Sequence, residues 1–152
     1  MKRLSLFIYF FLITVLQAAA QQSFDKTAVK SVMKRVADWQ IANPNKGAEH
    51  DDLDWTHAAL YMGMLDWAEL TEKEDSDDSY YQWLLRIGQR NHFQIGKWMY
   101  HADFIAVGQP FIDLYLKYGN KKMIAPVMAR ANWVVENPAE TTLELDYGKL
   151  ET

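Results

Sequence analysis

Beyond Gln21, apolar residues return at three- and four-residue intervals, and no stretch alternates with the two-residue period of a strand. The spacing predicts a helix over residues 25–42, capped by Ser23, with Val29, Val32, Met33, Val36 and Trp39 or Gln40 along one face. A second helix over 54–70 carries Ala58, Leu60, Tyr61, Met64, Leu65 and Ala68; a third, over 79–90, carries Tyr80, Trp83, Leu84 and Ile87. A fourth spans 103–118 and a fifth 121–136, where Pro126 demands a kink or a late start. The punctuation agrees. Asn43-Pro44-Asn45-Lys46-Gly47 stops the first helix, Gly119-Asn120 the fourth and Asn137-Pro138 the fifth, leaving an irregular tail. The acidic stretch 72–78 reads as a solvated turn, and 91–101 as a ring-rich loop around Gly96. The chain is therefore expected to be all-α, with about five helices.

The pattern also echoes itself. Gly63, Asp66, Trp83 and Asn91 are answered by Gly108, Asp113, Trp133 and Asn137, at separations of 45, 47, 50 and 46 residues. Helix hairpins of that size suit a stacked or circular α/α array and are too long for a 34-residue tetratricopeptide unit. In a ring of hairpins, the loops at one end carry the site.

The first twenty residues follow a different rule. Lys2 and Arg3 precede an apolar run, 4–16, broken only by Ser5 and Thr14, and Ala18-Ala19-Ala20 offers small residues for cleavage. Residues 1–20 are expected to be a signal peptide, too short for a comfortable membrane span, leaving 21–152 as one domain. The mature protein is thus expected outside the cytoplasm, periplasmic or secreted, with no membrane attachment after cleavage. The chain has no Cys, which removes disulfides, thiol catalysis and Cys-ligated metal. Loss of Lys2 and Arg3 takes the net charge from −4 to −6, which gives no electrostatic reason to bind nucleic acid. Six Trp and eight Tyr in 152 residues either fill a core or stack on sugar faces.

Chemistry-bearing side chains gather at two predicted helix starts. The first is His50-Asp51-Asp52-Leu53-Asp54-Trp55-Thr56-His57; the second runs from Lys97-Trp98 through Tyr100-His101-Ala102-Asp103 to Phe104-Ile105. Acids in these positions cap helices, and acids beside Trp and His also serve carbohydrate chemistry, one carboxyl handling a proton while rings stack on sugars. Neither His–Asp spacing repeats a zinc motif, and no phosphate loop, dinucleotide fingerprint or serine elbow occurs.

Trp39-Gln40-Ile41-Ala42, Asp51-Asp52-Leu53-Asp54-Trp55-Thr56, Tyr61-Met62-Gly63-Met64, and above all Tyr100-His101-Ala102-Asp103 followed by Ile105-Ala106-Val107-Gly108-Gln109, resemble the unsaturated rhamnogalacturonyl hydrolases. These form glycoside hydrolase family 105, close to the unsaturated glucuronyl hydrolases of family 88, and the resemblance runs from about residue 29 to 138. It implies an (α/α)6 barrel, here incomplete, and removal of the terminal C4=C5 unsaturated uronyl unit from lyase-generated pectin oligosaccharides, with no cofactor and no metal. An aspartic acid protonates C4, water adds at C5, and collapse of the hemiketal releases the sugar beneath. Such an acid needs burial or a second carboxylate to hold its proton near neutral pH. Position by position, Asp103 matches one of the two catalytic acids, while Asp54, Trp55, His57 and His101 match the substrate pocket. Two departures stand out. Phe104 occupies a position where the family commonly has a second Asp, and no Trp-x-Asp segment bearing the other acid is present. Five helices cannot close a twelve-helix ring, so the expectation is a truncated, inactive form; the alternative is an exported, non-catalytic carbohydrate-binding module.

Overall fold

The computed structural model describes residues 25–44 and 50–138. The expected signal peptide, the Ser23 cap, the middle of the first interhelix turn and the tail from residue 139 lie outside them. The described residues are helical, with no strand among them. The chain forms two compact units, one ending at Val36 and the other running from Ala37.

Helix α1, Lys26–Ala42, spans that boundary. Asp25 accepts the Thr27 N–H at 3.0 Å and so caps the first turn. The predicted apolar face is open to solvent: Val29, Val32, Met33 and Val36 in the first unit and Trp39 in the second are all exposed, and Ala37 is the buried residue of the helix.

In the second unit, α2 (Trp55–Asp75) is the central element, packing against α3 (Ser79–Arg90), α4 (Ala102–Ala106) and α5 (Gly108–Tyr118). Its buried stripe, Ala58, Tyr61, Met64, Leu65, Ala68 and Thr71, keeps the three- and four-residue period. Where the pattern predicted a turn from residue 72, α2 continues to Asp75. Glu and Lys are good helix formers, and Glu72 is held by Lys117 at 2.5 Å. The helix stops at Ser76, which takes a left-handed φ of 56°. Five residues earlier, the Thr71 carbonyl accepts the Asp77 N–H, and the Thr71 hydroxyl lies 3.1–3.2 Å from the Trp67, Ala68 and Asp77 carbonyls.

Helix α3 has the expected bounds and buries Tyr80, Tyr81, Leu84, Ile87 and Gly88. The predicted fourth helix is divided at Val107, into α4 and α5. Pro110 is the cause, because it lacks the N–H that would bond to Ala106 and its ring crowds that carbonyl. After Gly119 (φ 70°), a 3-10 turn at Lys121–Met123 leads into α6, Ala125–Glu136, whose late start leaves Pro126 harmlessly in the first turn. Tyr61, Leu84, Ile87, Phe93, Val107, Phe111 and Leu114 meet in one core, where burying such a side chain stabilises by about 1.5–3 kcal/mol.

Three helices end alike. Asn43, Asn91 and Asn137 each turn the side-chain amide back onto the carbonyl four residues earlier, Trp39, Ile87 and Trp133, at 2.8, 3.0 and 2.9 Å. The endings recur at close to the period of the sequence echo and mark α1, α3 and α6 as equivalent hairpin arms. The described residues are all-α, with the helices of the second unit paired as hairpins.

Candidate functional site

The residues singled out in the sequence fall into two groups, one on α2 and one on α4. At the start of α2, Asp54 is the N-cap: its Oδ1 accepts the Thr56 N–H at 3.0 Å and lies 3.2 Å from the Thr56 hydroxyl, while Oδ2 is 3.0 Å from His50 Nδ1. Burial pushes the Asp54 carboxyl up, but the Thr56 N–H and His50 outweigh it and hold the group below its ordinary value. Trp55 presents a half-exposed ring. One turn on, His57 is buried 5.8 Å from the Tyr61 ring, and its Nδ1 has no hydrogen-bond partner.

The second group grows from the 94–101 loop. His101 takes the N-cap position of α4 without a side-chain cap bond, so Asp103 lies in the first turn and does not cap the helix. Its Oδ2 is 3.9 Å from His101 Nδ1 and its side chain is 52% exposed, so the burial expected of a proton-holding acid is not supplied by the described residues. His101 sits between Trp98 (5.2 Å) and Phe104 (5.5 Å), and those two rings stand 4.4 Å apart. Phe104 is thus locked into an aromatic cluster where a second carboxylate would stand. Gly96 makes this possible: its N–H donates to the Phe104 carbonyl at 2.7 Å, and a Cβ there would lie 2.1 Å from the Phe104 ring.

Contact between α2 and α4 brings the two groups to neighbouring elements, although the hydrogen bonds and ring contacts of each stay within its own group. Among the described residues no three His, Asp or Glu side chains converge as a metal site. A cleft of about 350 Å³, lined by Gln89, His92, Phe93, Asn120, Lys122 and Met123, contains none of the predicted residues.

Two features escaped sequence reasoning. Asp52 is neither cap nor solvated acid; it takes a two-pronged bond from Arg90 (2.6 and 2.6 Å) and another from Asn91 (2.7 Å). The Tyr61 hydroxyl shares this network, and burial followed by the charge of Asp52 raises its pKa well above the ordinary value. Arg130, on α6, reaches three carbonyls of the 94–101 loop. Both link residues more than thirty positions apart, and a lone Arg within an amphipathic pattern carries no signal of its distant acceptors.

The family model described as Glycosyl Hydrolase Family 88 matches residues 15–144. No curated protein and no solved structure matches the chain.

Proposed function

Since the chain belongs to Glycosyl Hydrolase Family 88, a family of glycoside hydrolases, we propose that it acts on the terminal unsaturated uronyl unit of lyase-generated pectin oligosaccharides, in the manner of the unsaturated rhamnogalacturonyl hydrolases. The observation that carries this reading is the state of Asp103. It stands in the first turn of α4, half exposed, neither capping the helix nor held by a close ion pair. A carboxyl with no structural task, flanked by His101 and an aromatic cluster, is free to face a bound sugar, and the bound sugar would have to supply the burial that a proton donor needs.

In this reading the Asp103 carboxyl delivers its proton to C4, and the electrons of the C4=C5 bond form the new C–H bond. The positive charge left at C5 is shared with the ring oxygen and is stabilised by the carboxylate just formed. Water adds at C5 and returns a proton to Asp103, after which the hemiketal collapses and the sugar beneath leaves. Trp55 offers a stacking face, and Asp54, His57 and His101 offer orienting hydrogen bonds. We place the protein outside the cytoplasm after loss of residues 1–20, where lyase products would reach it.

Following the absorbance of the unsaturated uronyl double bond tests this directly. If Asp103 suffices as the acid, the chain should consume it, whereas the inactive form expected from the missing Trp-x-Asp segment would not; Asp103→Asn should lower kcat/KM by at least ~10²-fold while leaving the melting temperature in place, as a surface change does. Persistence of the double bond with the unsubstituted chain sinks the hydrolase reading. A second reading has its own support: Phe104, wedged against Trp98 and Gly96, leaves no carboxylate beside Asp103. A non-catalytic carbohydrate-binding module would bind saturated and unsaturated oligosaccharides alike and leave the double bond intact.

A further inference from the structure

Helix α6 buries no residue fully, and Met128, Trp133 and Val135 on it are exposed, yet its Arg130 reaches a distant loop. The half-buried Arg130 donates through Nη2 to the Gly96 carbonyl at 2.7 Å and through Nη1 to the Trp98 and Met99 carbonyls at 2.5 and 3.4 Å. One turn along, Trp133 packs on the Tyr100 ring at 5.4 Å, and the Tyr100 hydroxyl donates to the Asn137 carbonyl. Gly96, Trp98 and Met99 are therefore held to α6 through their carbonyls and Tyr100 through its side chain, and His101 and Asp103 follow close behind. At the far side, the Gly96 N–H bonds to the Phe104 carbonyl and closes the segment on itself.

We propose that Arg130 is a positioning residue for Asp103, acting through the carbonyls of Gly96, Trp98 and Met99; the proposal rests on the hydrolase reading of Asp103. The planar guanidinium suits the task, because its N–H groups are fixed in a fork that can serve several acceptors at once, whereas an ammonium is a single point. Burial lowers the Arg130 pKa, and among the described residues its hydrogen-bond partners are loop carbonyls. Gly96 is itself buried, and without Arg130 its carbonyl would lose the donor that satisfies it. Displacing a reacting group by about 1 Å can cost ~10² in rate, and a loop released from α6 has that freedom.

The test compares the full chain with Arg130→Met, which keeps the stem and removes the donors, and Arg130→Lys, which keeps the charge. Three quantities are read: turnover of an unsaturated diuronide, affinity for its saturated counterpart, and amide exchange residue by residue. Arg130→Met should lower kcat by about 10²-fold while affinity for the saturated sugar moves less than about threefold, with Arg130→Lys between it and the parent. Exchange at Gly96 should speed up while amides of α2 and α3, such as Tyr61 and Leu84, keep their protection. Unchanged kcat in Arg130→Met, unchanged exchange at Gly96, or loss of protection spread through α2 and α3 in both variants overturns the proposal. Should the parent chain leave the double bond intact, the hydrolase reading falls, and with it the role toward Asp103. Faster exchange at Gly96 would then show only that Arg130 holds the loop.

Discussion

Asp54 combines two kinds of work in one side chain, and substitutions can separate them. As N-cap of α2 it satisfies the Thr56 N–H, so Asp54→Ala should cost about 1 kcal/mol in a denaturant titration. Asn caps as well as Asp, so Asp54→Asn should be close to neutral in the same titration; any loss of sugar affinity in that variant would then belong to binding. Its pH behaviour follows from the direction of the shift. A carboxyl held below its ordinary value when folded binds protons more readily in the unfolded chain. Its contribution is therefore present at neutral pH and is lost as pH falls through the folded pKa, below the usual carboxylate range. A melt series from pH 7 to pH 3 should show the parent and Asp54→Ala converging at the acid end. Asp52 makes the stronger case for stability. Asp52→Ala leaves the Arg90 guanidinium, the Asn91 amide and the Tyr61 hydroxyl without their shared acceptor. Arg90 is half exposed and water can replace part of the loss, which leaves an expected cost of about 1–2 kcal/mol. At this scale the chemistry was legible as residue types in clusters, but the partners were not. Arg90 lies 38 positions from Asp52, and only the hairpin fold brings them together.

Elements were legible where one local rule acted and misread where two competed. α3 follows its pattern to the residue, and Pro126 forced the late start of α6. The acidic run at residues 72–75 set turn-like polarity against good helix propensity, and propensity won because the run is only the exposed last turn of a helix anchored below it. Pro110 was passed over in the fourth helix, although its missing N–H separates α4 from α5 and so leaves Asp103 on a short helix of its own. The reversal after α3 could not be foreseen at all: His92 and Phe93 both take left-handed φ, 53° and 54°, which sends the Phe93 ring under Gly88. That close approach can be tested. A Cβ at Gly88 would lie 2.2 Å from Phe93 Cε1, and the Phe93 ring is already packed edge-on against Phe111 at 5.4 Å between centroids. Ala normally favours a helix over Gly by about 1 kcal/mol. Gly88→Ala should nonetheless destabilise, by a net of about 1–2 kcal/mol as overpacking exceeds that gain; a variant more stable than the parent would show that the Phe93 reversal is soft.

At the scale of the molecule, the repeating Asn endings and the sequence echo describe the same hairpin unit, and that unit explains where apolar side chains remain uncovered. In an array of hairpins each arm buries one stripe against the next. Exposed apolar side chains are most numerous on α1, with Val32 and Val36 among them, and on α6, with Met128 exposed and Val135 80% exposed. The central helices α2, α3 and α5 supply nearly all of the core. Scattered exposed hydrophobics are ordinary, but several on one helix form a patch of the kind that binds apolar ligands or other chains. A net charge of −4, or −6 without Lys2 and Arg3, gives only weak repulsion between molecules at physiological salt. The protein should therefore enhance the fluorescence of a hydrophobic dye at neutral pH and sediment with a concentration-dependent mass. Lys substitutions at Met128 and Val135 remove apolar surface from α6 without entering the core, so they should lower both signals while leaving the melt of α2, α3 and α5 unchanged. If the signals fall only when Val32 and Val36 are replaced, α1 is the adhesive arm. If neither pair matters and the parent sediments as a monomer without binding dye, the exposed stripes are too dispersed to act as a surface.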